Sequence, residues 1–251
     1  MNDGPSNSAY AGYRSMCKWY SIHILNVLHD MGYEWMIRMD TDSEFLTPIP
    51  YNLVDAMKAA GAEYGFRVWW VDFARFVKGL PEAAQYWMIA ENIKPTWLRR
   101  ECRTQALHGL TTKGWKRHIF YNNFFVTNLK WWVQPHVQGW LQHLVHSGGF
   151  YKFRWGDAPV QTITLGMFMP NDKIIEFSFG YKHKRVYPEG RFTQALFPRY
   201  DCSRTTGCEV VTHESDMVSG SEALGQAQEA TLRSSGQRSG RARGKKRASQ
   251  G

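Results

Sequence analysis

The segment Trp35-Met36-Ile37-Arg38-Met39-Asp40-Thr41-Asp42 limits the fold more than any other stretch of the chain. Its first half is a short apolar run ending at Met39, with the length and bulk of a buried strand. Two carboxylates one residue apart follow, where such a strand would stop. Buried charges are costly unless something pairs with them. Asp40 and Asp42 therefore require the open end of a sheet and a cation. A divalent ion held by carboxylate oxygens there, with room left for phosphates, meets both needs. Taken alone, Asp-x-Asp is common by chance and fits a solvated turn after a strand better than a metal site.

A chain of 251 residues can bury one sizeable core or two small ones, and a hydrophobic share of 43% excludes disorder throughout. The eleven tryptophans belong by default to that core, although aromatic faces also suit the apolar faces of sugars. The net charge of +9 favours an anionic partner. Much of the excess lies in Arg238, Arg241, Arg243, Lys245, Lys246 and Arg247, so nucleic acid is not expected. Cys17, Cys102, Cys202 and Cys208 form no Cys-x-x-Cys pair, which argues against structural zinc. Cys202 and Cys208 could close a small loop in an oxidising compartment. No apolar run is long enough to span a bilayer, and the N-terminus lacks the pattern of a signal peptide.

In chain order, residues 1–11 read as unstructured, followed by a helix with Met16, Tyr20, His23, Ile24, Val27, Leu28 and Met31 on its apolar face. Gly32 stops that helix, and His23 reads as a packed histidine. A helix through Leu53, Val54 and Met57 ends near Gly61. Tyr64–Val71 reads as one strand and His118–Val126 as another. Between them helices are expected, one opened by Pro81 and one capped by Thr96, without a catalytic signature. Asn122 and Asn123 mark either a break in their strand or side chains reaching a polar ligand. A helix from Pro135 stops at Gly148. Asp157-Ala158-Pro159 predicts another, with Asp157 as its N-cap. Ile174–Phe179 reads as the last strand, and His183 just beyond it suits a metal or phosphate contact. Residues 201–251 read as a disordered tail whose basic end suits acidic lipids, if any partner.

Together, YRSMCKWY, WMIRMDTD, EYGFR, FYNNFFVTNL, HSGGFYKFRWGDAPV and FGYKH resemble glycosyltransferase family 15, the fungal-type α-1,2-mannosyltransferases. The resemblance covers Tyr13 to Pro188. It implies a GT-A type α/β fold, a mixed sheet flanked by helices, over residues 13–200. It also implies a divalent cofactor, usually Mn2+, with GDP-mannose as donor and a mannose-terminated glycan as acceptor. Transfer would be retaining, in the Golgi lumen. Carried over residue by residue, the metal site falls on Asp40, Asp42 and His183, and the catalytic residues are Tyr13 and Asp157. Contacts to the nucleotide sugar fall on Arg14, Arg38, Arg154, Asn123 and Tyr181.

The chain departs from that family in three places. A family glutamate proposed as nucleophile is Phe125 here, and another, just before the arginine of RWGD, is Phe153. A phenylalanine cannot form a glycosyl ester. Transfer then proceeds on the donor face without a covalent intermediate, or the chain is an inactive relative that binds glycans or acts as a scaffold. Asp40, Asp42, Asp157 and His183 favour the former. Third, the family's first nucleotide-binding strands and its N-terminal membrane anchor would precede this chain, which starts almost at the tyrosine. The full-length form is expected to be a type II membrane protein, and this chain alone to fold poorly or bind donor weakly.

Overall fold

The computed structural model describes residues 7–104, 108–184, 186, 197–201 and 208–211. The chain divides into Met1–Val211 and Thr212–Gly251, and the second unit, with the basic end, lies outside the described residues. Ten strands are described: β1 (Trp35–Met39), β2 (Ser43–Phe45), β3 (Tyr64–Phe66), β4 (Trp69–Val71), β5 (His118–Phe120), β6 (Phe124–Asn128), β7 (Ile174–Phe177), β8 (Tyr181–His183), β9 (Arg199–Asp201) and β10 (Glu209–Val211). Six form one mixed sheet in the order β1-β6-β3-β7-β9-β10, with β3, β7 and β9 parallel and the other neighbours antiparallel. Two small antiparallel sheets, β2 with β8 and β4 with β5, stand apart from it.

The helices are α1 (Asn7–Lys18), α2 (Ile24–Asp30), α3 (Leu53–Ala59), α4 (Leu80–Ala90), α5 (Leu129–Trp132), α6 (Pro135–Ser147), α7 (Gly149–Phe153) and α8 (Asp157–Phe168). α8 is buried from Asp157 to Met167, as expected of a helix covered on all sides. Its buried polar side chains are hydrogen-bonded, apart from Gln161 Oε1, which has no partner among the described residues. Thr162 Oγ1 accepts from Phe120 N at 2.9 Å, and Thr164 Oγ1 accepts from Trp140 Nε1 at 2.9 Å. Gln161 Nε2 donates to Tyr20 O at 3.1 Å. Loss of such partners would leave buried polar groups unsatisfied. Trp97, Trp115, Trp132, Trp140 and Trp155 are all fully buried, the default expected for the tryptophans.

Several local expectations need correction. The first helix starts at Asn7, inside the stretch read as unstructured. A π turn over Trp19–His23 separates α1 from α2 and rotates the buried face. Cys17, Ile22 and Leu25 are buried, whereas Met16, Val27 and Met31 are exposed. The extra residue of a π turn breaks the 3.6-residue period on which the expectation rested. β1 is an edge strand with Ile37 and Met39 exposed and Met36 and Arg38 buried. Tyr64–Val71 and His118–Val126 each divide into two strands, because β3 and β6 join the main sheet while β4 and β5 pair with each other. Ile174–Phe177 is not the last strand, and β10 falls within the expected tail. Thr96 caps no helix: its hydroxyl bonds Gly166 O at 2.9 Å and Met169 O at 2.8 Å. Cys208 is disulfide-bonded, Cys17 and Cys102 are free, and Cys202 lies outside the described residues.

Gly65 in β3 lies under the side chains of α3 and β7. A β-carbon there would meet Phe177 Cε2 at 2.5 Å and Met57 Sδ at 2.7 Å. Gly65→Ala is expected to cost about 1–3 kcal/mol through overpacking, read as a lower urea midpoint. An unchanged midpoint would show that the layers pack less closely here.

Candidate metal centre and cleft

Strand pairing brings the charged groups together. Arg38 faces Phe125 and Met39 faces Phe124 across β1 and β6. One step further, Asp40 N donates to Asn123 O at 2.8 Å, which sets the two side chains beside each other. In the second sheet Ser43 faces His183, so Asp42 arrives next to that imidazole. One ligand atom each from Asp40, Asp42 and His183 lie within 4.8 Å of one another. His183 Nε2 is 2.9 Å from Asp42 Oδ1. Asn123 Nδ2 donates to Asp40 Oδ2 and lies 3.3 Å from His183 Nε2.

The surrounding groups fix this set. The Tyr121 hydroxyl is 2.8 Å from His183 Nδ1, leaving Nε2 turned toward the carboxylates. Lys184 Nζ is 3.0 Å from Asp42 Oδ2. That bond first, with the nearby His183 ring, holds the Asp42 carboxyl below its usual range although desolvation opposes it. Arg38 is buried, with Nε 3.1 Å from Asp40 Oδ1, Nη1 2.5 Å from Asp157 Oδ2 and its guanidinium 4.0 Å from the Tyr20 ring centre. Burial opposes its charge, but Asp157 and Asp40 more than offset this and raise its pKa. Tyr20 reaches that position from the π turn, an irregularity frequently found at functional sites.

A cavity of about 620 Å3 opens beside the triad and runs past Arg38 and Asp157 to Tyr13, Arg154, Asp72 and Phe76. Arg154 sits between α7 and α8 at φ 62°, a left-handed conformation costly for a side chain other than glycine. Its guanidinium lies 4.5 Å from the Tyr13 ring centre and 3.8 Å from that of Phe76. Burial of the Tyr13 hydroxyl, then Cys17 and Asp157, push its pKa up, so it remains a hydrogen-bond donor.

Most of the residues singled out in the sequence thus share one cleft. Two do not. Arg14 bonds the Tyr151 carbonyl at 2.6 Å, tying α1 to α7, and Tyr181 is buried with its hydroxyl 2.8 Å from Ser43 Oγ. Neither lines the cavity. Asp157 is not the N-cap of α8: Gly156 holds that position and the carboxylate goes to Arg38. Phe125 stacks on Tyr64 at 5.5 Å, and Phe153 on Trp155 at 6.1 Å, so both belong to aromatic packing. Sequence reading missed Tyr121, Lys184, Asp72, Phe73 and Phe76, all cavity residues. Only the Phe73–Phe76 spacing beside an acid offered any local signal.

The donor set suits a hard or borderline divalent ion: two carboxylates and one imidazole, with open cleft on one side. The buried Asn123 Oδ1 has no hydrogen-bond partner among the described residues, while Nδ2 of the same amide faces Asp40 and His183.

A family model described as glycolipid 2-alpha-mannosyltransferase matches residues 3–216. The glycolipid 2-alpha-mannosyltransferase of Saccharomyces cerevisiae is 30% identical over 72% of this chain and 41% of its own length. Glycolipid 2-alpha-mannosyltransferase 1 of Candida albicans is 28% identical over 68% of this chain and 39% of its own. The chain therefore spans less than half the length of these relatives. Among solved structures, the Mn/GDP form of core-mannan synthase A from Aspergillus fumigatus superposes with a TM-score of 0.65 and 24% identity. It is covered over 54% of its length by 73% of this chain. The GDP complex of mannosyltransferase Ktr4p from Saccharomyces cerevisiae gives a TM-score of 0.61 and 21% identity, over 75% of this chain and 54% of Ktr4p.

Proposed function

Since the chain belongs to the glycolipid 2-alpha-mannosyltransferase family, we propose that it carries the catalytic cleft of a metal-dependent, retaining α-1,2-mannosyltransferase. The donor is GDP-mannose, and the acceptor is a mannose hydroxyl of a glycoprotein or glycolipid glycan. One observation supports this above the rest: Asp40, Asp42 and His183 converge beside a cleft whose far wall holds Asp157, Tyr13 and Arg154. The Mn and GDP of the structural neighbours point to the same chemistry.

Asp40, Asp42 and His183 would hold Mn2+, which when bound supplies positive charge against the departing diphosphate. Arg154 makes no ion pair among the described residues, so its N–H donors can face phosphate or sugar oxygens. Tyr13 donates from its protonated hydroxyl. Arg38 fixes Asp157 rigidly, and Asp157 orients the sugars at the reacting centre. With Phe125 where the family has a carboxylate, no glycosyl ester forms there, and transfer occurs on the donor face. In the same reading the full-length protein is a type II membrane protein acting in the Golgi lumen. Among the described residues no helix is long and apolar enough to cross a membrane. A tagged full-length version is expected to fractionate with Golgi membranes.

The direct test is mannose transfer from GDP-mannose to methyl α-mannoside, with and without Mn2+, and the product's anomer read by proton NMR. Mn2+-dependent α-linked product is expected. GDP-mannose binding without turnover would favour an inactive relative, and absence of Mn2+-dependent GDP binding would remove the proposal.

Tyr121 gives a second test. Metal-bound imidazoles rely on a partner at the other ring nitrogen. Tyr121→Phe is expected to weaken Mn2+ binding about 10–100-fold, measured by electron paramagnetic resonance of free Mn2+. Unchanged affinity would show that Tyr121 only packs against His183.

A further inference from the structure

Four carboxylates line the cleft among the described residues: Asp40, Asp42, Asp72 and Asp157. Three are paired with cations. Asp40 and Asp157 share Arg38, and Asp42 has Lys184. Asp72 differs. Its Oδ1 accepts from Phe73 N at 2.7 Å, while Oδ2 makes no hydrogen bond or ion pair among the described residues. The backbone around it is fixed, since Asp72 N donates to Arg117 O at 2.9 Å and Arg117 Nε donates to Asp72 O at 3.1 Å. Burial first, with a contribution from Asp157, raises the Asp72 carboxyl above its usual range, although Phe73 N–H and Arg154 pull against this. A partly desolvated carboxylate oxygen without a donor is costly.

The neighbouring residues narrow what could supply that donor. Phe73 is 63% exposed, although it lines the cleft. Its ring meets Phe76 edge-on at 5.9 Å, and Trp70 continues the wall to Tyr121 at 5.9 Å. This wall therefore runs from the triad side, where Tyr121 touches His183, to Arg154 over Phe76. An anionic diphosphate would be repelled by the Asp72 carboxylate, which makes no ion pair among the described residues, and drawn to the side where Asp40, Asp42 and His183 would hold a cation. A neutral molecule with hydroxyl donors along one edge and an apolar C–H face matches both features. A pyranoside ring is such a molecule.

We infer that Asp72 and Phe73 form the acceptor subsite, Asp72 Oδ2 accepting a hydrogen bond from a hydroxyl of a neutral pyranoside and Phe73 lying against its apolar face. The inference rests on the glycosyl-transfer reading and deepens it by assigning the acceptor to the wall that carries Asp72 and Phe73 and the diphosphate to the side that carries Asp40, Asp42 and His183. Asp72 holds the acceptor and takes no part in holding the nucleotide.

The experiment is saturation-transfer NMR with methyl α-mannopyranoside on the full chain containing Mn2+ and GDP, alongside calorimetric titration of GDP in Mn2+. Asp72→Asn is expected to weaken mannoside binding about tenfold or more, as for loss of a hydrogen bond to a charged group. Phe73→Ala, exposed and so compatible with folding, is expected to weaken it several-fold. Both variants should keep the GDP affinity of the parent. Mannoside binding unchanged in both variants, or lost together with GDP affinity, would overturn the assignment. If the parent binds GDP with Mn2+ but no mannoside, this subsite alone fails. If it binds neither, the glycosyl-transfer reading fails with it.

Discussion

Asp42→Ala is expected to weaken Mn2+ binding by more than about 100-fold, since even outer-shell partners of a metal site are worth about 10–100-fold. The Asp42 side chain is 45% exposed, so its removal should leave the melting temperature nearly unchanged and isolate the effect on the metal. Two contacts fix its place: His183 Nε2 at 2.9 Å and Lys184 Nζ at 3.0 Å. With the carboxylate gone, Lys184 stays as an uncompensated positive charge beside the triad, which adds repulsion to the lost ligand. GDP affinity measured in Mn2+ should fall in parallel, while GDP affinity in EDTA should not change. A variant that binds Mn2+ as tightly as the parent would show that the ion, if any, sits elsewhere.

Arg38→Ala is the substitution expected to damage the fold most. Arg38 and Asp157 are both buried and 2.5 Å apart, and Arg38 also holds Asp40. Removal of the guanidinium strands a buried carboxylate at the first turn of the central helix α8. Breaking such a pair from one side costs about 3–5 kcal/mol, whereas replacing both partners can be close to neutral. The urea midpoint should therefore drop sharply for Arg38→Ala and recover substantially in Arg38→Met combined with Asp157→Asn. If the double variant is no more stable than Arg38→Ala, the loss comes from packing against Tyr20 rather than from the stranded charge.

These effects also mark what was legible in the sequence. Asp40 and Asp42 were visible because a short apolar strand ending in two acids has few physical solutions. The meeting of Asp42 with His183 bridges 141 residues; position past a strand offered His183 as a metal or phosphate contact, and only family resemblance joined it to the two aspartates. Local signals failed where a distant partner competed for the same group. Asp157-Ala158-Pro159 reads as a capped helix start, but the buried cation of Arg38 claims the carboxylate and Gly156 takes the cap. Arg14 was expected near phosphate and instead ties α1 to α7. The strand break at Arg67-Val68 was hidden because both halves of its run are apolar, whereas Asn122 and Asn123 did offer a break; which sheet each half joins is decided by pairing, not by propensity. Asp72 carries no motif, and Tyr121 lies in FYNNFFVTNL without anything local to mark it as a site residue. They matter only because β4, β5 and β8 meet at one wall.

The most direct measurement of the metal centre is paramagnetic broadening of histidine side-chain resonances during titration with Mn2+. His183 should broaden first and at the lowest Mn2+ concentration. His29, His143 and His146 should stay sharp, and addition of GDP should lower the concentration needed. Broadening that spares His183 while any of the others is lost would contradict the assignment of Asp40, Asp42 and His183 as the ion's ligands.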